Sequence, residues 1–155
     1  MSSLVGHDNF FEDFVVGDRF RHARGKTVTE LETMTLAQLV MNTSDGHFNA
    51  DRMQHSEFGA PLAFGGVVAA IVYGLASQDT AEQAIEELGF ERIRFPRPTV
   101  TGDTLYAQTE VLEREERDDA SGTVRFRHLG LNADGETVCE LERRVLLRRR
   151  PREGT

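Results

Sequence analysis

Cysteine and tryptophan are nearly missing from this chain of 155 residues, which has one cysteine and no tryptophan. Cys139 has no second thiol to pair with, so an intrachain disulfide and a cysteine-based zinc cluster are both excluded. The first residues also lack the basic start and the long apolar region of a secretory signal. We therefore expect a protein of the reducing cytoplasm.

Long hydrophobic runs and positive charge are also scarce. The longest apolar stretch, residues 61–76, is interrupted by glycines and is shorter than the ~20 residues that a helix needs to cross a bilayer. We therefore expect no membrane span. The formal net charge of −8 at pH 7 argues against a nucleic-acid partner, because the phosphate backbone attracts basic surfaces.

The first third of the chain contains a strand signal and a helix signal. Residues 19–27 alternate enough between polar and apolar side chains to predict a strand. Thr29 and Glu32 then have the spacing of a capping box, and the apolar residues that follow recur at helical intervals. This pattern predicts a helix of roughly three turns that ends before Asn42.

A second helix signal begins at Gly65 and Gly66. Residues 67–75 are apolar on every side, so periodicity alone does not separate a buried helix from a buried strand. The length and alanine content of the segment favour a helix that other structure surrounds. The polar residues 77–87 are expected to extend or follow it.

Strand signals dominate from Gly89 onward. Residues 90–95 alternate between apolar and charged side chains apart from the adjacent Glu91 and Arg92, and three later strand-like segments are joined by turns, the tightest at residues 133–135. With residues 19–27 they predict an antiparallel sheet of about five strands. One apolar helix beside such a sheet is buried economically only if the sheet curls around it.

The predicted architecture is a single α+β domain, with its core in residues 10–147 and a polar tail, residues 148–155, that frays. A curved sheet of this kind has exposed edges, which can pair with other strands. Pairing with a second copy of the chain would cover them. We therefore expect a homo-oligomer that is at least a dimer.

The polar loop after the first predicted helix contains His47. A Phe-Gly-x-Pro turn that begins at Phe58 then leads to Gly65 and the apolar segment. This order can bring an imidazole, which titrates near neutral pH, close to the unpaired N–H groups of a helix start. Such groups can move a proton and stabilise a developing oxyanion.

These residues resemble the MaoC-like dehydratases, a family with the hot-dog fold. The family typically shows Asp-x-Asn-Pro-x-His-x-Asp followed by Phe-Gly-x-Pro-x-x-x-Gly, and His47 stands at the family's spacing before Phe58 and Gly65. Residues 94–105 are similar to the family's closing sheet signature. The resemblance covers residues 10–147 and implies a curved antiparallel sheet wrapped around a central apolar helix.

The loop departs from the family pattern at three positions. Asn42 replaces the usual aspartate before the histidine, Ser44 replaces the usual asparagine, and Asn49 replaces the aspartate after the histidine. The sequence of this loop is more similar to the branch that hydrates mesaconyl-CoA, or dehydrates methylmalyl-CoA, than to straight-chain (R)-enoyl-CoA hydratases. The resemblance therefore implies a hydro-lyase that acts reversibly on an acyl-CoA thioester, with mesaconyl-CoA as first choice.

The resemblance assigns His47 as the base and the Gly65 N–H as the oxyanion donor, while Gly66 adds a second N–H or permits close helix packing. Asn42 either orients water or the imidazole, or caps the preceding helix, since an amide accepts no proton at neutral pH. Asp45 either supplies the missing carboxylate or is a turn residue beside glycine.

The substrate-binding candidates are Arg92, Arg94 and Arg97, which could meet an anionic ligand, together with Phe64. Each arginine taken alone could equally belong to a solvated edge strand. One arginine among these three and Arg52 could pair with a carboxylate on the acyl group.

No metal or redox cofactor is expected, because His47 and His55 lack a convincing third ligand. His55, His22 and His128 have no comparable context and are interpreted as surface or strand residues. Three rival functions stay open: a straight-chain (R)-specific enoyl-CoA hydratase, a hot-dog thioesterase, and a non-catalytic acyl-CoA or acyl-lipid binding module.

Overall fold

The computed structural model describes residues 9–151 and folds them around one five-stranded sheet. Two short 3-10 turns, three helices and five strands alternate along the chain. The turns are Phe11–Asp13 and Asp45–His47, the helices are α1 (Glu30–Leu39), α2 (Ala50–Gln54) and α3 (Gly65–Thr80), and the strands are β1 (Arg19–Thr27), β2 (Ala84–Arg94), β3 (Thr104–Glu116), β4 (Ser121–Leu131) and β5 (Thr137–Arg148).

The strand order is β1-β3-β4-β5-β2, and all neighbouring strands are antiparallel. β3, β4 and β5 form consecutive hairpins, so the hydrogen-bonded centre of the sheet is local in sequence. α3 packs against β1, β3, β4 and β5. This arrangement confirms the predicted hot-dog fold, with a central apolar helix surrounded by an antiparallel sheet.

The buried face of α3 explains why the sequence forms a helix there. Val68, Val72 and Ala76 recur every four residues, and all three are buried against the sheet. At the middle of this contact, a Cβ atom added to Gly130 of β4 would lie 2.4 Å from the Val72 side chain. The glycine therefore allows the helix to approach the strand closely.

A second apolar cluster fills the other end of the sheet. Phe14 meets Phe126 edge-on, with ring centroids 5.0 Å apart, and packs against Phe20 at 6.5 Å. These rings are almost completely buried. The entry segment before β1 is therefore part of the core, which fixes the N-terminal side of the sheet.

α1 starts at the predicted capping box. The Thr29 hydroxyl accepts from the Glu32 N–H, and the Glu32 carboxylate accepts from the Thr29 N–H. Together with Lys26, whose ammonium is the largest influence, these bonds lower the pKa of Glu32 to about 2. Ala37 is buried, but two of the larger apolar side chains of the helix do not join the core, since Leu31 is 76% and Leu39 is 71% exposed.

Several boundaries differ from the sequence-based expectation. α3 ends at Thr80 and β2 already begins at Ala84, so residues 77–87 are split between helix and strand. β3 also extends to Glu116. The sequence predicted that this strand would end at Leu112 and that the charged residues 113–122 would connect it to the next strand. Pairing with a neighbouring strand decides these lengths, and such pairing is invisible in local composition.

Two further expectations need correction. His22 and His128 lie on strands, as predicted, but both are buried rather than at the surface. The tail expected to fray is anchored at its start, because Arg149 pairs with Glu12 over 2.8 Å. Residues 152–155 lie outside the described part of the chain.

The face of the sheet opposite α3 is covered by ion pairs. Glu142 is only 2% exposed and is surrounded by Arg92, Arg125 and Arg127. Burial raises the pKa of the Glu142 carboxyl, but the hydrogen bond and charge of Arg125 outweigh it and the net pKa is lowered. Among the described residues, no helix is both long and apolar enough to cross a membrane.

Replacing Phe126 with alanine should lower the free energy of unfolding by about 3–5 kcal/mol, because the ring is fully buried and its loss leaves a cavity. Urea denaturation followed by circular dichroism measures this change. Leu31→Ala is the matched control and should change stability by less than about 0.5 kcal/mol, since that side chain is exposed. Equal losses in the two variants would contradict the assigned core.

Candidate functional site

The segment that leads into α3 is tied to two neighbouring loops. The Leu62 N–H donates to the Gly46 carbonyl over 2.8 Å, and the Ala63 N–H donates to the Thr99 carbonyl over 2.8 Å. Because Gly46 directly precedes His47, the first of these bonds fastens the start of α3 to the histidine loop. The bond to Thr99, in the loop between β2 and β3, holds the same segment from the other side.

His47 ends the short turn Asp45–His47 and is half-buried. Its Nδ1 lies 2.8 Å from the Leu62 carbonyl oxygen. Since a carbonyl only accepts, Nδ1 carries the proton, and the neutral ring leaves Nε2 as a hydrogen-bond acceptor. The ring also meets Phe64 at 5.7 Å between centroids. The backbone therefore fixes which nitrogen can act as a base.

Gly65 and Gly66 form the first turn of α3 directly after Phe64. The Phe64 carbonyl accepts from the N–H groups of Val67 and Val68, but within residues 9–151 neither glycine N–H has an acceptor. Phe64 also provides no side-chain cap. Two backbone donors therefore stay available at the positive end of the helix dipole, next to the residue that contacts His47.

Aromatic rings press against both glycines. A Cβ atom on Gly65 would lie 2.9 Å from the Phe95 ring, and one on Gly66 would lie 2.8 Å from the Phe64 ring. Glycine at these two positions lets the rings approach the backbone, so Phe95, directly after β2, and Phe64, directly before α3, cover the helix start without an intervening side chain.

Asn42 has a local structural role in addition to the predicted one. Its N–H donates to the Ala37 carbonyl over 2.8 Å, which closes the end of α1, and its side-chain oxygen accepts from the Ser44 N–H over 3.2 Å. The oxygen is therefore engaged within the loop, while the amide nitrogen can still donate to water. The capping alternative is consistent with these bonds, and the catalytic role stays a prediction.

Asp45 is paired with a cation. Its carboxylate accepts from the Arg52 guanidinium over 2.8 Å, and both side chains are substantially exposed. Asn49 caps α2 by accepting from the Arg52 N–H over 3.0 Å. Asp45 and Asn49 therefore shape the loop around His47, and a catalytic role for Asp45 stays a prediction.

Two of the predicted substrate-binding arginines also have carboxylate partners. Arg92 reaches Glu142 over 3.3 Å, and Arg97 pairs with Glu136 over 3.1 Å. Arg94 is exposed, and within the described residues it forms no ion pair. The role of these arginines in binding substrate stays a prediction.

An apolar cavity of about 530 Å³ opens beside the helix start. Phe64, predicted as a substrate contact, lines it together with Gly66 and Tyr73. Sequence reasoning missed another part of the wall, which comes from Phe90 and Ile93 of β2 and from Phe95 directly after that strand. The sequence did contain a sign of this wall, because these apolar residues are interspersed with the arginines that were predicted to bind substrate.

The described residues contain no group of three or more His, Cys, Asp or Glu side chains arranged to hold a metal ion. Proton transfer and hydrogen bonding are the chemistry that an imidazole such as that of His47 and the glycine amides themselves offer.

Residues 7–149 match the family model for mesaconyl-CoA hydratase, which is most of the chain. The chain belongs to the mesaconyl-CoA hydratase family. It is 31% identical over 147 residues to the mesaconyl-CoA hydratase of Cereibacter sphaeroides, an alignment that covers 91% of this chain and 41% of that protein. This membership confirms the resemblance to MaoC-like dehydratases.

Solved structures of related proteins share the fold. A MaoC-like dehydratase from Rhodospirillum rubrum matches with a TM-score of 0.81 and 30% identity, covering 94% of this chain and 100% of that one. A putative MaoC domain protein dehydratase from Chloroflexus aurantiacus matches with a TM-score of 0.84 and 25% identity, covering 95% of this chain and 46% of that one. The chain spans less than half the length of the curated relatives it matches.

The hydrogen bond to Leu62 predicts the tautomer of His47. Nitrogen-15 NMR on histidine-labelled protein above neutral pH should show His47 protonated at Nδ1 with a bare Nε2, because the carbonyl accepts from Nδ1. The exposed His55 is the internal reference and should show the tautomer mixture of a free imidazole. An Nε2-protonated His47 would exclude it as a base through that nitrogen.

Proposed function

We propose that this protein is a hydro-lyase that reversibly adds water to the double bond of an enoyl-CoA thioester. The observation that carries the proposal is the placement of His47, which is bonded to Leu62 through Nδ1 and packs against Phe64, the residue before Gly65. A base with a free nitrogen and a pair of unpaired backbone N–H groups thus lie at the same helix start.

In the proposed reaction, His47 Nε2 removes a proton from a water molecule whose oxygen attacks the β-carbon of the enoyl group. The electron pair of the double bond shifts to the α-carbon and the thioester carbonyl, which gives an enolate. The imidazolium then returns the proton to the α-carbon. General acid–base catalysis of this kind contributes about 10²- to 10⁴-fold.

The N–H groups of Gly65 and Gly66 are the proposed donors to the enolate oxygen. They lie at the N-terminus of α3, where the helix dipole favours negative charge. Removal of one donor of this type costs ~3–4 kcal/mol in the transition state. The proposed role needs no side chain, so it is compatible with glycine at both positions.

His47 is proposed to act with an oriented water rather than with a carboxylate. Asp45 is neutralised by Arg52 and forms part of the turn. Asn42 keeps an amide N–H that can orient the attacking water, although it accepts no proton. This assignment accounts for a catalytic loop that lacks the aspartate usual in the wider family.

Mesaconyl-CoA is the first candidate substrate, and dehydration of methylmalyl-CoA is the reverse reaction. The family match and relatives from three genera, named mesaconyl-CoA hydratase or β-methylmalyl-CoA dehydratase, support this choice. The acyl group carries a carboxylate, which requires a cation or hydrogen-bond donors within reach.

Straight-chain enoyl-CoA is a second candidate, which the cavity beside Gly66 favours. Its wall includes Phe64, Phe90, Ile93 and Phe95, which suit an apolar acyl chain. Arg52, Arg92 and Arg97 each already pair with a carboxylate. A dicarboxylic substrate would therefore have to displace one of these partners or use Arg94.

Hydration of mesaconyl-CoA and of crotonyl-CoA by purified protein should distinguish the two candidates. Loss of the ultraviolet absorbance of the conjugated thioester measures turnover, and we expect mesaconyl-CoA to react faster. Turnover of crotonyl-CoA but not of mesaconyl-CoA would indicate a straight-chain enoyl-CoA hydratase. Release of free thiol without hydration would instead identify a thioesterase.

Replacing His47 with alanine should lower kcat by about 10²- to 10⁴-fold and leave binding of a saturated acyl-CoA nearly unchanged, because the base is lost while the cavity remains. Steady-state kinetics and calorimetry measure the two quantities. His55→Ala is the control and should behave as wild type, since His55 is exposed at the end of α2. Acyl-CoA binding with no turnover in wild type would indicate a binding module.

A second copy of the chain is the proposed partner, and β2 is the proposed contact. Within residues 9–151, β2 pairs with β5 on one side only and exposes apolar side chains such as Ile85 and Ile93, which are 47% and 45% exposed. β1, the opposite edge, carries four cations and no carboxylate, and like charges on an edge strand discourage pairing. β2 carries charges of both signs between its exposed apolar side chains, which favours association through β2.

Ile93→Asp should reduce the dimer fraction, because a buried, unpaired charge at an apolar contact is costly. Analytical ultracentrifugation at several protein concentrations measures the dissociation constant. Leu31→Asp is the control, since Leu31 is exposed on α1, far from β2 in sequence, and should leave the dimer unchanged. A wild-type protein that sediments as a monomer would contradict the proposal.

A further inference from the structure

Four polar side chains form a buried hydrogen-bonded row between α3 and the sheet. His22 Nδ1 of β1 lies 2.5 Å from an Asp79 oxygen near the end of α3, and His22 Nε2 lies 2.6 Å from the Thr109 hydroxyl of β3. The same hydroxyl lies 2.7 Å from His128 Nδ1 of β4. All four residues are at most 4% exposed. The row is separate from the proposed hydration chemistry.

The connectivity of Asp79, His22 and Thr109 is that of a hydrolase triad, but the surroundings exclude a nucleophile. Thr109 is 2% exposed, so no acyl group can reach its hydroxyl. The oxygen is also held between two imidazoles, each within 2.7 Å. The row therefore binds protons rather than a substrate.

Counting hydrogens gives the arrangement of the neutral row. The Asp79 carboxylate accepts, so His22 Nδ1 carries a proton and the neutral ring has a bare Nε2. Thr109 then donates its single hydrogen to His22 Nε2, and its oxygen accepts from His128 Nδ1–H. His128 Nε2 is left bare, and it is buried without a partner among the described residues.

Adding one proton reverses the direction of every bond beyond Asp79. The proton binds His128 Nε2, the Nδ1 proton of His128 passes to the Thr109 oxygen, and the Thr109 hydrogen passes to His22 Nε2. His22 is then a cation beside Asp79, and His128 is again neutral with its proton on Nε2. His128 and Thr109 each gain one proton and lose one, and His22 gains one, so the row as a whole takes up only the single added proton.

We propose that Asp79, His22, Thr109 and His128 form a proton switch in which a proton taken up at His128 Nε2 is delivered as charge to His22 through the Thr109 hydroxyl. The charges around the row determine the direction. Asp79 of α3 stabilises a cation at His22, whereas Arg143 of β5 faces His128 and opposes a cation there. The Arg143 guanidinium is itself paired with Glu87 of β2.

The neutral row is the form present at neutral pH. Burial lowers the pKa of His22, with Asp79 opposing the shift, and burial together with Arg143 and His22 lowers the pKa of His128 well below its usual value. In the unfolded chain both imidazoles take up protons below about pH 6.5. The stabilisation is therefore complete above about pH 6.5 and is lost as the pH falls from there towards the folded-state pKa values.

Nitrogen-15 NMR of histidine-labelled protein, titrated downward from about pH 7.5 until His22 becomes doubly protonated, tests the switch. We expect the His128 proton to move from Nδ1 to Nε2 over the same pH range in which His22 becomes doubly protonated. Thr109→Val removes the connecting hydroxyl, so the shift of the His128 proton should no longer accompany the protonation of His22. Thr109→Ser keeps a hydroxyl, so the two events should stay coupled. Thr104→Val is the control on the same strand, since among residues 9–151 its hydroxyl bonds only to the exposed Thr27 hydroxyl.

A His128 tautomer that stays constant while His22 titrates would overturn the proposal, as would unchanged coupling in Thr109→Val. If Thr109→Val does not fold, the wild-type protein still provides a test through urea unfolding between about pH 8 and pH 5.5. The folding equilibrium constant should fall below about pH 6.5 by up to tenfold per pH unit for each imidazole. A constant value across this range would also overturn the proposal.

Discussion

The hydrogen bond from the His47 imidazole to the Leu62 carbonyl is the contact on which the site depends. It joins the polar loop after α1 to the segment that starts α3, and a second bond between Leu62 and Gly46 runs in the opposite direction. Together they fix the imidazole tautomer and keep the ring against Phe64. Without this pair of bonds, His47 and the glycine amides would belong to two independent loops.

The sheet provides the frame that makes this contact rigid. α3 is held along its length by the strands, and Gly130 allows the sheet to approach Val72 closely. The two edges of the sheet differ in character, since β1 carries only positive charges, whereas β2 mixes both signs of charge with exposed apolar side chains. One helix therefore links the proposed oxyanion donors at its start to the buried histidine row at its end.

The sequence was sufficient for features that depend on neighbouring residues. The capping box of Thr29 and Glu32, the helix after Gly65 and the hairpins of β3, β4 and β5 were all predicted, because each is encoded by local spacing. The family motif around His47 also identified which loop meets which helix. Strand ends were less accurate because partners in other parts of the chain extend β2 and β3.

Charge partners could not be predicted in the same way. Arg92, Arg97 and Arg52 look alike in sequence as free cations, and only the folded chain shows the carboxylate that each one meets. His22 and His128 were placed on strands correctly, but alternation did not reveal that both side chains face the helix side and share the Thr109 hydroxyl.

The sequence by itself determined the element types, the family and the pairing of one histidine loop with one glycine-led helix, because these follow from short-range spacing and hydrophobic pattern. Only the tertiary structure decided which imidazole nitrogen is bare, which arginines are neutralised and which histidines are buried. These properties depend on atoms that folding brings together from distant parts of the chain. His22 and Asp79 are far apart in sequence, yet His22 Nδ1 lies 2.5 Å from an Asp79 carboxylate oxygen.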